Sequence, residues 1–380
     1  VSVAGSKLLI TGDNAANLAA VVALPNGRYA VAGLSTTING GAAPFVTNRA
    51  ISHIAANLNG GDDALALTNN AQAIFDLADN QFGVDLETLL GVTADDFQDL
   101  IDASTPITEF SLPGSLTVAA GSGDDVIGVI GSIGSSVVVT LGTADVDGGN
   151  AFGIDGSSLA AGNGVVGGGI SIVGDKQFDA VAIVSTDVRH SISVALSDGA
   201  NFLTVADANV GGGIAYTGGS GADAIFIEDS NVRHSISAVL GGGINGLLVD
   251  SSNIGGGLAV VGGAGDDMVE VTDSTIAINV SLALGNGTNK VELERTSTGA
   301  VAITGGQGVD EIVATQVTIR HGVSIATFGG NDSLTIQGAN GVLSNIGGSL
   351  VVDTGSGNDE VNLFDTNIGH SFILALGSGM

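Results

Sequence analysis

The sequence contains no cysteine, which removes disulfides, thiolate–metal centres and thiol nucleophiles together and leaves redox chemistry silent about compartment. It has no tryptophan and only two tyrosines, so aromatic platforms for stacking sugars are scarce. Positive charge is almost missing: nine Lys and Arg stand against 39 Asp and Glu, a formal charge of −30. Such a field repels nucleic acid, anionic lipid and acidic polysaccharide, and the shortage of cations denies a polysaccharide lyase the groups that would stabilise developing negative charge. No apolar run reaches the length of a membrane span, so no membrane insertion is expected, and no basic-then-apolar leader opens the chain at Val1. Proline is rare, four residues, against 62 glycines. The glycines sit between short apolar segments and read as turn punctuation, not as collagen or linker.

What is present is 44% hydrophobic residue, enough for a large core and too apolar for disorder, arranged with a fixed period. An Asp or Asn closes a glycine-rich turn at Asp179, Asn201, Asp223, Asn245, Asp267 and Asn289, each step 22 residues, and continues at Asp310, Asp332 and Asp359 with steps of 21, 22 and 27. Two residues after each come Val181, Leu203, Ile225, Leu247, Val269, Val291, Ile312, Leu334 and Val361, and two further on Ile183, Val205, Ile227, Val249, Val271 and Leu293. A separation of two marks a strand with one face buried. A third column holds Val188, Val210, Val232, Ile254, Ile276, Ile319, Ile346 and Ile368, with Thr298 the odd member, and a further pair begins at Ile170 and Ile172. The reading is all-β: a right-handed parallel β-helix or β-solenoid with 22-residue coils, each of three short strands stacked about 4.8 Å from the next. The period is also double. Over 44 residues, Asp alternates with Asn at the turn, and Arg-His alternates with Gly-Gly on a later corner.

Two polar files accompany the apolar ones. Asp187, Asn209, Asn231, Asn253, Thr275, Ser297, Thr318, Asn345 and Asn367 precede the third strand and read as a structural ladder at a turn that tolerates left-handed backbone. On the next corner Arg189, His190, Arg233, His234, Arg320 and His321 form a surface ridge. Alternate coils lie about 9.6 Å apart, too far for these histidines to share one zinc ion. The turn file itself, in "GGSGAD", "GGAGDD", "GGQGVD" and "GSGND", resembles the glycine–aspartate nonapeptide of RTX-type calcium-binding repeats. That resemblance implies calcium held between turns. In the family the motif returns every nine residues, whereas here the full motif returns about every 44. Asn between the aspartates also separates like charges that would otherwise face each other at about 4.8 Å, so the file reads as self-sufficient. No cofactor is required. Oxygen ligands cluster enough for weak calcium binding at Asp124, Asp125, Asp266, Asp267, Asp310, Asp332 and Asp359, and Asp223, Asn245, Asn209, Asn231 and Asn253 are assigned to structural ladders.

Four regions are expected. Residues 1–70 carry irregular N-terminal β coils. Residues 71–105 change to a helical pattern, with Leu86, Leu89, Leu90, Phe97, Leu100 and Ile101 on apolar faces, and are taken as a helical insertion or cap. Residues 106–168 carry coils with insertions. Residues 169–380 carry the regular solenoid, open at its C-terminal coil, where "HSFILALGSGM" stops short of the next turn residue.

Nothing in the sequence looks like a catalytic constellation, and no enzyme activity is expected; paired carboxylates are plentiful but glycosidase chemistry needs two at a defined separation in a cleft. In repeat style the chain resembles the large glycine- and aspartate-rich β-solenoid proteins of bacterial surfaces. That resemblance implies an extracellular or cell-surface scaffold: a filament, surface-layer or matrix component. Its expected partner is another copy of itself, stacked head to tail through the open C-terminal coil with a neighbour's Lys7 to Ile10 strand; other surface proteins or glycans are further partners. The competing readings are a calcium-binding RTX-like adhesion or ligand-binding module, and a lyase or hydrolase of the β-helix type.

Overall fold

The computed structural model describes residues 1–34, 36–70, 72–73, 76, 98, 109–143, 148–157, 159 and 162–378. The chain is an all-β parallel solenoid of about 12 turns with coils of about 22 residues. It divides into two compact units, Val1–Ser197 with Phe202–Ala208, and Asp198–Asn201 with Asn209–Met380.

In the second unit one coil consists of Ile214–Gly218, Ala224–Glu228 and Asn231–Val232. Each strand pairs in parallel with its equivalent one coil on. The first strands align Ile214, Ile236, Leu258, Val280, Val301, Val323 and Leu350. The second strands align Ile225, Leu247, Val269, Val291, Ile312 and Leu334, and the third align Val232, Ile254, Ile276, Thr298, Ile319 and Ile346. All of these side chains are buried. A one-residue slip would turn each file outward, which is why the 22-residue spacing is kept so strictly, and β-branched residues suit the pleated stack.

The first unit obeys the same plan. Ala19, Leu65, Ile127, Phe152, Val181 and Leu203 share one inward file, and Leu8, Ile54, Leu116, Val137 and Ile170 another. The coils of residues 1–70 are therefore in register with those of the regular block. What hides their metre is extra chain inserted between strands. At the start of this unit the stacking direction changes. Ser2–Ala4 lies antiparallel on Lys7–Thr11, and Arg28–Leu34 lies antiparallel on Leu18–Leu24. Both first-coil strands thus have their outer edges hydrogen-bonded. The helical pattern assigned to residues 71–105 falls almost wholly outside the described residues.

Left-handed backbone does not fall on the exposed Asn file, as its composition suggested. It falls two residues earlier, at Asp207, Asp229, Ser251, Asp273, Arg295 and Gln316, whose φ angles lie between 45° and 54°. This is the sharp corner between the second and third strands, where Asp and Ser accept the αL conformation best by bonding locally. Arg295 and Gln316 are the exceptions: the Arg295 guanidinium bonds both carboxylate oxygens of Asp273 one coil below, at 2.5 and 2.6 Å, and Gln316 Nε2 donates to the Ala339 carbonyl at 2.9 Å.

Candidate functional site

The Asp and Asn residues that close the glycine turns point into the solenoid. In the second unit Asn201, Asp223, Asn245, Asp267, Asn289, Asp310 and Asp332 are all buried, and Asp359 is half-buried. The backbone N–H groups of Asn201, Asp223, Asp267, Asp310 and Asp332 each reach the side-chain oxygen one coil on, whereas those of Asn245 and Asn289 donate to the carbonyls of Asp266 and Val309. Asp223 donates to Asn245 Oδ1 at 3.0 Å, Asp267 to Asn289 Oδ1 at 3.1 Å, Asp310 to Asp332 Oδ1 at 2.9 Å and Asp332 to Asp359 Oδ1 at 3.0 Å. The Asn amides add a second rung: Nδ2 of Asn201, Asn245 and Asn289 donates to Oδ1 of Asp223, Asp267 and Asp310 at 3.0, 2.8 and 2.8 Å. A buried carboxylate that accepts two N–H groups is far cheaper to hold than one that accepts none. The first unit has its own ladder. Asn17 donates to Asp63, Asp63 to Asp125, Asp125 to Asn150, and Asn150 Nδ2 to Asp179.

Asp and Asn are not interchangeable on this ladder, because a carboxylate accepts only and an amide must also donate. Asp179 and Asp267 turn Oδ2 back to accept the turn amides of Asp175 and Gly263 at 2.9 and 3.2 Å. Asn201 and Asn245 instead turn Nδ2 toward the carbonyls of Gly199 and Gly243. Between residues 174 and 310 that difference is matched by the residue five positions earlier: glycine before Asp179, Asp223, Asp267 and Asp310, and buried leucine before Asn201, Asn245 and Asn289 (Leu196, Leu240 and Leu284). Elsewhere Leu58 precedes Asp63, Ala120 precedes Asp125 and Thr327 precedes Asp332. A Cβ added at Gly174, Gly218, Gly262 or Gly305 would lie 1.7 to 2.1 Å from the Oδ2 of its Asp. The 44-residue double repeat is therefore a steric code of Gly with Asp and Leu with Asn.

Burial raises the acid side of the ladder. The carboxyls of Asp63 and Asp179 are pushed up to about 6 and that of Asp125 to about 7, in each case chiefly by desolvation. Asp223, Asp267 and Asp310 are raised for the same reason, against the hydrogen bonds that favour their charged form. Among the described residues, Oδ2 of Asp63, Asp125, Asp332 and Asp359 has no hydrogen-bond partner.

A second interior ladder of hydroxyls follows the left-handed corner. Ser230 N–H donates to Ser252 Oγ and Ser252 N–H to Ser274 Oγ. The hydroxyls of Ser252, Ser274 and Thr296 donate to the carbonyls of Asp250, Thr272 and Glu294. Nothing in hydropathy announces it; the Asp-Ser, Ser-Ser and Asp-Ser doublets at 229–230, 251–252 and 273–274 are the signal that was available.

The calcium candidates separate in this geometry. Asp125, Asp267, Asp310 and Asp332 belong to the interior ladder. Their neighbours Asp124 and Asp266 stand outside, where Asp266 Oδ1 accepts the Thr288 N–H at 2.7 Å and Asp124 N–H donates to Asp62 at 3.1 Å. Among the described residues no three His, Asp or Glu side chains converge as an ion-holding group. The exposed file of Asn209, Asn231 and Asn253 borders an open cleft of about 340 Å³ that Arg233 also lines, with Asn253 Nδ2 donating to Asn231 Oδ1 at 3.3 Å. The ridge residues Arg189, His190, Arg233, His234, Arg320 and His321 are all exposed.

At the last coil the inward positions lose their cover. Phe372, Leu374 and Leu376 are 43%, 39% and 48% exposed, although the equivalent Leu350 and Val352 one coil below are buried. Set against family models, curated proteins and solved structures, the chain matches none.

Proposed function

We propose that this chain is a structural scaffold displayed outside a bacterial cell, a filament, surface-layer or matrix component whose copies join end to end. The observation that supports this best is the solenoid interior, in which files of Asn, Asp and Ser tie each coil to the next. Contact between copies is proposed through their outermost strands. The outer edge of Lys7–Thr11 is already taken by Ser2–Ala4, so the strand that a stacking neighbour offers is Ser2–Ala4 and not Lys7 to Ile10. Interiors tied by amide, carboxyl and hydroxyl ladders suit a load-carrying element, since each coil is hydrogen-bonded to the next inside as well as along the strands.

Multi-angle light scattering of the purified chain across a hundredfold range of concentration tests the reading. Mass is expected to climb with concentration, and electron micrographs to show filaments. Phe372→Asp with Leu374→Asp is expected to abolish filaments and hold the mass at no more than that of a dimer, without changing the circular dichroism. A wild-type chain that stays monomeric at the highest concentration would overturn it.

A further inference from the structure

Charge in the second unit is sorted by face. The stretch of each coil that runs from the exposed Asn file, round the Arg-His or Gly-Gly corner and along the first strand contains no Asp or Glu from Asn209 through Val352; every acid of the unit except Asp353 lies on another part of the coil. The basic residues are sorted the other way. Lys290 and Arg295, on the acidic side, are paired with Glu292 and with Asp273 and Glu294. Arg233 and Arg320, on the acid-free corner, are exposed and take part in no ion pair among the described residues.

The first strands of these coils present one outward face of small, uncharged side chains. One file reads Ala215, Ser237, Ala259, Ser281, Ala302 and Ser324, and the next Thr217, Val239, Val261, Ala283, Thr304 and Ala326. Val239 and Val261 are 40% and 47% exposed. Seven such strands from Ile214–Gly218 to Leu350–Asp353, about 4.8 Å apart and about 15 Å long, make a face on the order of 500 Å². That is at the low end of what specific interfaces bury per partner.

We infer that this face is where a second copy of the chain packs side by side, sheet on sheet. Two molecules carrying −30 each repel over most of their surfaces, and as far as the strand Val323–Ala326 this is the face on which contact brings no carboxylates together, Asp353 entering it only on the next strand. Its edges also select the symmetry. The Arg233 corner precedes the strand Ile236–Val239, and the turn carrying the exposed Asp266 follows Leu258–Ala264. The cationic corner and the acidic turn therefore lie at opposite ends of the strands. A two-fold axis parallel to the direction of coil stacking sets the cationic corner of each copy over the acidic turn of the other. A two-fold axis along the strands would set arginine over arginine and aspartate over aspartate. The first arrangement is isologous and self-complementary. It keeps the two solenoids parallel. It uses a different surface from the end-on contact.

The test is sedimentation velocity on the full chain carrying Phe372→Asp and Leu374→Asp, which isolates lateral from end-on association. A monomer–dimer equilibrium is expected, with Kd rising at least tenfold when Val261→Glu places a carboxylate in the face. Arg233→Glu is expected to weaken the dimer severalfold, and adding Asp266→Arg to restore it, a rescue that generic apolar stickiness cannot produce. A chain that remains monomeric to millimolar concentration in this background, or a dimer indifferent to Val261→Glu, overturns the inference. So does a monomer that binds polygalacturonate through Arg233, which would assign the face to an acidic glycan.

Discussion

Gly218 shows how closely single residues are specified in this fold. Its Cα is backed by Asp223 Oδ2, and a methyl group there would sit 1.7 Å from that oxygen. Gly218→Ala is expected to destabilise by about 1–3 kcal/mol, the usual cost of overpacking a fixed interior, read as a lowered midpoint in urea. The ladder also contains a place where its own rule lapses. Asp310, Asp332 and Asp359 follow one another with no amide between them, and among the described residues the Oδ2 of Asp332 and of Asp359 is without a partner. Asp332→Asn restores the pattern seen lower down, where Asn289 Nδ2 donates to Asp310 at 2.8 Å. It keeps an acceptor for the Asp310 N–H and supplies a donor for Asp359. The expected result at pH 8 is a gain of about 1 kcal/mol, seen as a raised Tm. The inward apolar residues were legible from their period of two. The inward acids were not, since Asp after Gly-Gly reads as a solvated turn whatever its side chain does. The alternation of Gly and Leu five positions upstream was the visible trace of their burial.

At the scale of the element, the ladder gives the solenoid a pH dependence of definite sign. An Asp carboxyl raised from its ordinary value of 3.8 to about 6 or 7, as at Asp63, Asp125 and Asp179, binds its proton more tightly in the folded than in the unfolded chain. The stability it contributes is therefore complete below about pH 4 and is lost as pH rises through 6 to 7. Thermal melts are expected to give a higher midpoint at pH 4.5 than at pH 7.5. Exposed carboxylates add a repulsion of the same sign, so the discriminating variant is Asp125→Asn, which is expected to flatten the pH profile of the melt. The coils of residues 1–70 show why register was hard to see there. Asn17, Asp63 and Asp125 are consecutive rungs, but the strand pair around Pro25–Gly27 and the long insertion after residue 70 push them 46 and 62 residues apart. A period is readable only where the chain between strands has constant length.

For the molecule as a whole, pairing Gly with Asp and Leu with Asn means that 22 residues are the geometric repeat while 44 are the chemical one. Deleting residues 223–266 joins Ala222 to Asp267 and leaves Gly218 five positions before an aspartate, with Asn289 on the next coil. Deleting 223–244 instead places Asn245 over Gly218 and brings two Asn rungs together. The longer deletion is expected to keep a cooperative melt within a few degrees of the parent, and the shorter one to melt lower despite losing less chain, as circular dichroism would show. The consequence reaches past stability. A gene encoding this chain can lengthen or shorten by unequal recombination, yet only exchanges offset by an even number of coils return a sound interior, so natural length variants are expected to differ in steps of two coils.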